Sequence, residues 1–600
     1  MEIMTGGTLS AWQKIIEQES EAVFTILKTH IDSLSVEDNA WIVLADDEQL
    51  RVQVDKLLPL YRANPQALPL FGIPFAVKDN VDVAGWPTSA ACPAFTYTAE
   101  QDATAVARLK AAGAVLIGKT NLDQFATGLV GTRSPFGAVP NTFNSAYVSG
   151  GSSSGSASVV ARGLVPFSFG TDTAGSGRVP AGFNNIVGLK PTKGWLSAKG
   201  VVPACRLNDT LSVFALTVED AFFIATLAGG EDAEDAYSRT NPSTAPAALG
   251  QNPVFAIPAE LKFFDDEQAQ NAWQAALEAL KASGATLKPI DFSAFYALAE
   301  QLYQGPWVAE RTAAVGEMLQ QPEQMDPTVH TIISAGLNYS AVDAFKAEYL
   351  RAELARKIQA ALSDVDALVV PTSPTIHTIE EMKQEPIRFN SQFGTYTNFT
   401  NLADLSALAL PASFRHDGLP AGITLIAPAW HDRALAEFGL RWQQQQALPL
   451  GATGQDFIPS AASLPVSPHH VRVAVVGAHL RGMPLNFQLQ NRHAVFVEAT
   501  ETAPCYRLYA LANTQPAKPG IARQASGAAI AVELWDIPLA RFGEFVAEIP
   551  APLGIGSLEL ADGRWVKGFI CEPAALNDAT DITEFKGWRN WITRQESKHV

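Results

Sequence analysis

Histidine is the conspicuous shortage. The chain of 600 residues has ten, and none lies between Val148 and Pro180, the stretch richest in glycine and hydroxyl side chains. A hydrolase that draws its nucleophile's proton onto imidazole has no obvious home here. Cysteine is scarcer still. Cys92, Cys205, Cys505 and Cys571 lie far apart, form neither CxxC pairs nor a disulfide framework, and imply a reducing compartment. Cys92, among small residues, reads as packing and is assigned no role. No run of about eighteen apolar residues is present to span a bilayer, and Met1–Ser20 lacks the continuous apolar core of a secretory leader. The expected location is cytoplasmic. Dense Lys/Arg runs are missing too, and a formal net charge of -18 opposes attraction to nucleic acid or anionic membranes.

What is present describes an ordinary globular protein: 47% hydrophobic and 17% charged residues exclude a disordered or fibrous chain. The length exceeds what one core sustains, so at least two domains are expected. Trp12, Ile15, Ile16, Val23, Ile26 and Leu27 recur at helical spacing, predicting a helical N-terminal layer over 10–60. The segment 71–83 reads as extended, with Lys78 in its middle. A helix over 103–112 stops at Gly113 and is followed by a short strand, 114–117, bounded by Gly118. Further alternation comes at 253–257, 266–282, 286–290 and 365–370, giving an α/β layered fold. Around 451–470 the sequence turns to Gly, Pro, Ser and Ala, which places a linker at 456–470 between a domain over 1–455 and a smaller one over 471–600 that opens on a strand at 471–476. No long internal repeat is visible.

Two loops dominate the region without histidine. Gly150-Gly151-Ser152-Ser153-Ser154-Gly155-Ser156 is followed, from Gly170, by Gly-Thr-Asp-Thr-Ala-Gly-Ser-Gly-Arg-Val-Pro-Ala. Such loops suit a flexible linker, a phosphate cradle or a nucleophile site, because glycine lets the backbone approach an anion closely. Ordered apolar segments on both sides oppose the linker. The phosphate cradle lacks a Gly-Lys-Ser/Thr and a dinucleotide spacing with a downstream acid. The pattern continues through Asn185-Ile186-Val187-Gly188-Leu189-Lys190-Pro191-Thr192, and over this length it resembles the amidase signature.

That resemblance implies a mixed-sheet α/β/α sandwich and, matched residue by residue, a nucleophile at Ser176, a bridging serine in a cis peptide at Ser152, and a lysine at Lys78 within Val77-Lys78-Asp79-Asn80. The chemistry is coherent. A serine needs a base, and a lysine can serve if burial penalises its charged form. Ile73, Phe75, Ala76 and Val77 suit that demand. Backbone N–H groups of Thr173, Ala174, Gly175 and Ser176 would meet the oxyanion. Many relatives have glycine where this chain has Ala174, which leaves the backbone donor in place. Asp172 and Arg178 flank the nucleophile, and a loop-buttressing role is favoured over a direct part in the chemistry.

The signature leaves the substrate open. Tyr303-Gln304-Gly305-Pro306-Trp307-Val308-Ala309-Glu310-Arg311 resembles a segment of the allophanate hydrolases, with Tyr303 and Arg311 at substrate-holding positions. From the local sequence alone, Arg311 also reads as a solvated or Glu310-paired arginine on a helix over 307–318. The stretches 394–405 and 422–430 resemble the same group. So does Val475-Val476-Gly477-Ala478-His479-Leu480-Arg481-Gly482-Met483-Pro484-Leu485-Asn486, which matches the extra C-terminal domain of those enzymes, similar to the γ-glutamylcyclotransferase fold and including 554–560. In that domain His479, and less so Glu559, are candidates for chemistry, against the plainer reading of a structural histidine. The resemblance implies hydrolysis of a small anionic amide without metal, nucleotide or biotin, a homodimer, and a link to urea carboxylase or another allophanate-producing enzyme. The competing readings are another amidase, an inactive scaffold, or the glutamine-dependent subunit of an amidotransferase.

Overall fold

The computed structural model describes residues 7–242, 244–249, 252–459, 464, 466, 467 and 469–596. The chain divides into two compact units, Met1–Thr240 with Gln251–Ser460, and Asn241–Gly250 with Ala461–Val600. The expected linker at 456–470 spans that division, and its residues 460–463, 465 and 468 lie outside the described residues. The segment 241–250 groups with the second unit although no hydrophobic period in the sequence marks it.

Among the described residues, eleven strands of the first unit form one sheet: β1 Trp41–Leu44, β2 Pro74–Lys78, β3 Val115–Thr120, β4 Phe167–Asp172, β5 Val187–Lys190, β6 Thr210–Ala215, β7 Val254–Pro258, β8 Thr286–Ile290, β9 Ala367–Pro371, β10 Leu405–Phe414 and β11 Pro420–Pro428. Their spatial order is β1-β3-β2-β4-β6-β5-β10-β11-β9-β7-β8. The sheet is mixed: β2 runs parallel to β3 and β4, and β7 parallel to β8 and β9. The other pairs are antiparallel. Central strands β2, β3 and β4 are buried along their whole length, as parallel strands covered on both faces must be.

The expected helix-to-strand alternation is present, with two local differences. Trp41–Leu44 inside the N-terminal layer is a strand rather than helix, too short for its period to show. The strand expected to stop at Gly118 runs on to Thr120, paired with β1 and β2; residue 118 is glycine because the Trp41 ring packs where a side chain would stand, not because the strand ends there. Elsewhere Asp266 caps the helix Glu267–Ala282 by accepting the Ala269 N–H at 2.9 Å.

The second unit has its own core, built around Val473, Leu534, Trp535, Leu558 and Trp588. Its main sheet holds β12 His470–Val475, β13 Val495–Glu501, β14 Ala531–Pro538, β15 Leu553–Glu559 and β16 Trp565–Cys571, in the order β13-β14-β12-β16-β15. Among the described residues no helix is long and apolar enough to cross a membrane.

Candidate active site

Lys78 ends β2 and Asp172 ends its parallel neighbour β4. The site thus forms at the carboxyl ends of adjacent parallel strands, where open α/β sheets place ligands. Ser152 precedes helix α1, Ser154–Ala161, and the peptide bond from Gly151 to Ser152 is cis. Ser176 lies in the turn from β4 to helix α2, Val179–Phe183.

These three side chains, far apart in sequence, form one hydrogen-bonded row. Lys78 Nζ donates to Ser152 Oγ at 2.7 Å and to Thr171 Oγ1 at 2.6 Å, and Ser152 Oγ donates to Ser176 Oγ at 3.0 Å. With a neutral amine the same contacts run the other way, Ser176 O–H to Ser152 and Ser152 O–H to Lys78. All three residues are buried. Burial is the main force on Lys78, bringing its amine down to about 7, with Arg311 adding and Asp123, Asp209 and Asp172 opposing. Among the described residues no carboxylate lies within ion-pair distance of Lys78, so no contact locks it in the charged form. The row can carry a proton between an alcohol and an amine without histidine.

Beside it, the N–H groups of Thr173, Ala174, Gly175 and Ser176 have no hydrogen-bond acceptor among the described residues. A turn of free donors next to a hydroxyl is what a developing oxyanion requires. Gly175 is at φ +147°, and a Cβ there would stand 2.5 Å from Thr397 Oγ1, so glycine is needed at 175. Ala174 carries no such demand. Its methyl is buried in a core cluster that also holds Leu129, Val130 and Val179.

Asp172 and Arg178 lock this turn from below. Asp172 accepts the Gly177 N–H at 3.0 Å and Arg178 Nε and Nη2 at 2.9 Å each, while Arg178 Nη1 donates to Thr400 Oγ1 at 2.9 Å and the Thr397 carbonyl at 3.2 Å. Burial disfavours charge on Asp172, but Arg178 and the Gly177 N–H outweigh it and hold the carboxyl below its ordinary value. Removing the guanidinium leaves a buried carboxylate unpaired. Arg178→Ala is therefore expected to lower unfolding free energy by about 3–5 kcal/mol, read by chemical denaturation.

Tyr303 and Arg311 come together between helices α3, Ser293–Gln304, and α4, Val308–Val315. Arg311 is buried and donates to Tyr303 Oη at 3.1 Å, Thr127 Oγ1 at 2.9 Å and the Ala126 carbonyl at 3.3 Å. The solvated or Glu310-paired arginine is overturned. Glu310 turns instead to Cys205, whose Sγ donates to it at 2.6 Å, and to the Leu207 N–H at 3.0 Å. Among the described residues Arg311 is left as a buried cation whose hydrogen bonds all go to neutral acceptors, a complement for an anion. Its effect on Lys78 puts both in one electrostatic field.

Three contributors are not singled out by the sequence, although Thr171 lies within the motif that starts at Gly170. Thr171 is the second acceptor for Lys78; Thr127 holds Arg311; Asp123 gathers the N–H groups of Val130, Gly131 and Arg133 at 2.9–3.0 Å, holding that loop against Gly151, next to Ser152. Each depends on a fold contact rather than a spacing.

His479 belongs to the second unit. Its Nε2 meets Gln488 Oε1 at 2.8 Å and its ring stacks on Phe569 at 4.9 Å, on the wall of a cavity of about 180 Å³ that Lys518 and Glu548 also line. Burial pushes its pKa down. Glu559 pairs with Arg523 at 2.6 Å and does not line that cavity.

The model of the amidase family matches residues 22–436, enclosing Lys78, Ser152, Ser176, Tyr303 and Arg311. The chain belongs to the amidase family. A second family, the allophanate hydrolase C-terminal domain, matches 471–593. This amidase is similar to the solved Kluyveromyces lactis allophanate hydrolase, with 44% identity and a TM-score of 0.85 over 98% of this chain and 100% of that one. It is 46% identical to the urea amidolyase of Lachancea kluyveri over 97% of this chain and 33% of the relative, so it spans about a third of that protein. It is also 33% identical to one subunit of the glutamyl-tRNA(Gln) amidotransferase of Chlorobium luteolum, over 65% of this chain and 86% of the relative. The likeness to allophanate hydrolases drawn from 303–311 and 475–486 thus extends over nearly the whole amidase.

Proposed function

We propose that this amidase hydrolyses allophanate, urea-1-carboxylate, through Ser176, Ser152 and Lys78. The observation that carries the reading is the unbroken row from Lys78 to Ser176 with the buried Arg311 cation in the same field. Allophanate binds with its carboxylate on Arg311 and Tyr303 and its terminal amide carbonyl on Ser176. Ser176 Oγ attacks the carbonyl carbon as its proton passes through Ser152 to Lys78. The N–H groups of 173–176 hold the oxyanion, and on collapse the C–N bond breaks while the proton returns through Ser152 to the departing ammonia. Water then attacks the acyl-enzyme by the same route, freeing Ser176 and N-carboxycarbamate, whose two carboxylates leave in turn as carbon dioxide, by way of carbamate, and yield a second ammonia.

Around that core, the amidase domain is an α/β/α sandwich over 1–455, and 471–600 is a domain like γ-glutamylcyclotransferases that assists the decarboxylation at His479. The chain works in the cytoplasm, where its four free cysteines would persist, beside an enzyme that carboxylates urea. It forms a homodimer; on helix α5, Ala341–Ala361, the exposed Val342, Phe345 and Tyr349 share one face and offer a surface for it.

Ammonia release from allophanate, malonamide, glutamine and a simple aryl amide, compared under one condition, tests the reading. Faster turnover of any substrate other than allophanate would falsify it, and glutamine as the best would favour a component of an amidotransferase. Arg311→Lys is expected to lower kcat/KM for allophanate about 10- to 100-fold, mainly through KM, because an ammonium cannot reproduce the fork. A neutral amide should be affected far less.

A further inference from the structure

Beyond the nucleophile turn lies a second polar cavity, of about 380 Å³, wholly within the first unit. Four cations reach its wall, Lys193, Arg206, Arg239 and Arg351, in a chain whose net charge is -18. Four carboxylates line it as well, but each already has donors. Asp404 takes Arg239 Nη1 at 2.8 and 3.0 Å, and Glu348 takes Arg351 in a fork at 2.7 Å on both oxygens. Asp235 accepts the N–H groups of Ala198 and Tyr237 at 2.9 Å, and Asp209 those of Ala204 and Cys205 at 2.9 and 3.1 Å.

Two of the cations have no such partner. Among the described residues Lys193 Nζ reaches the Leu207 carbonyl at 3.2 Å and Asn208 Oδ1 at 3.4 Å and no other acceptor. The Arg206 guanidinium lies over the Tyr237 ring at 6.0 Å, and among the described residues neither side chain meets a carboxylate. Burial, with Arg351 and Arg239 adding and Asp404 opposing, pushes the Lys193 amine below its ordinary value. Lys193 is thus a half-buried ammonium in the field of two arginines, and Arg206 stands exposed beside it, an arrangement that an anion would complement.

The wall that Lys193 touches is tied to the reaction centre. Asp209 accepts the hydroxyl of Thr173, whose N–H is one of the free donors beside Ser176. Asn401 Nδ2 holds the Asn208 carbonyl and the Asp172 carbonyl, each at 2.8 Å. Lys193, which donates to Asn208 Oδ1, is therefore linked through this wall to the segment that positions the nucleophile turn.

We propose that this cavity binds a small oxyanion, a carboxylate, bicarbonate or phosphate, on Lys193 and Arg206, and that occupancy changes the turnover of Ser176 through Asn208 and Asp209. Neither cation takes part in the catalytic row or in holding the substrate. Binding is therefore measurable whatever the true substrate is.

The test uses the full chain and a variant carrying Lys193→Met and Arg206→Ala, its folding checked by its thermal midpoint. Calorimetric titration with inorganic phosphate, and separately with bicarbonate, should show saturable binding to the parent protein that weakens about tenfold or more in the variant. Hydrolysis of a neutral amide, chosen so that the anion does not compete at Arg311, should change with anion in the parent and not in the variant. No saturable binding by the parent, or equal affinity in both proteins, overturns the site. Binding lost in the variant while the parent's rate ignores the anion overturns the coupling and leaves the site standing.

Discussion

Alanine at Ser176 is expected to lower kcat for amide hydrolysis by about ten-thousand-fold or more, leaving the fold and substrate affinity close to those of the parent protein. The reason is the position of the hydroxyl at the end of a buried hydrogen-bonded row, 3.0 Å from Ser152, with no second nucleophile in that row beyond Ser152 itself. Removing one oxygen atom from a buried turn costs little packing, so circular dichroism and thermal midpoint should hardly move. The parent protein should form an acyl adduct on Ser176, detectable by intact-protein mass spectrometry after rapid quenching, and the alanine variant should form none. Ammonia release from the variant within tenfold of the parent would remove Ser176 from the proposal.

Methionine at Lys78 should be nearly as damaging, about a thousand-fold or more in kcat, because the row then ends without a base. Its loss should not multiply with that of Ser176: the double variant is expected to match the worse single one, since either change breaks the same proton path. The pH profile supplies a separate check. The active form of Lys78 is the neutral amine, and burial brings its titration to about 7. Protonation below that pH therefore removes the base. Along the acid limb kcat/KM should climb about tenfold per pH unit and level off once the amine is neutral. A profile that is flat between pH 6 and 8, or that falls as pH rises through 7, contradicts a lysine base. Lys190 is buried and also brought to about 7, so Lys190→Met is the control. If the acid limb persists in that variant, it belongs to Lys78.

How far these features were legible in advance depended on their range. Ser152 and Ser176 sit in glycine-rich loops and Lys78 ends an apolar strand, but composition left those loops open to several uses, and it is the likeness to the amidase signature that marks all three. Arg311 was ambiguous, because a helix segment carrying Glu310 and Arg311 reads equally as a local ion pair. The outcome was decided by partners far along the chain: Cys205 and Leu207 took the glutamate, and Thr127 and Tyr303 the arginine. The Trp41–Leu44 strand was invisible for a similar reason, since four residues carry no measurable period and only pairing with β3 makes them a strand.

The alternation of helices and strands, the change of character after residue 450, and the glycine- and serine-rich motifs that carry the likeness to the amidase signature were written in the linear order, because each depends on side chains close in sequence. Tertiary structure decided the rest. Parallel pairing of β2 with β4 brought Lys78 and Thr171 to one end of the sheet, and the loop carrying Ser152 and the turn at Gly175 completed the row and its free donors. Burial then supplied what no sequence position specifies, an amine that gives up its proton near neutral pH, because the penalty on its charge comes from every element packed around Lys78 rather than from its neighbours in the chain.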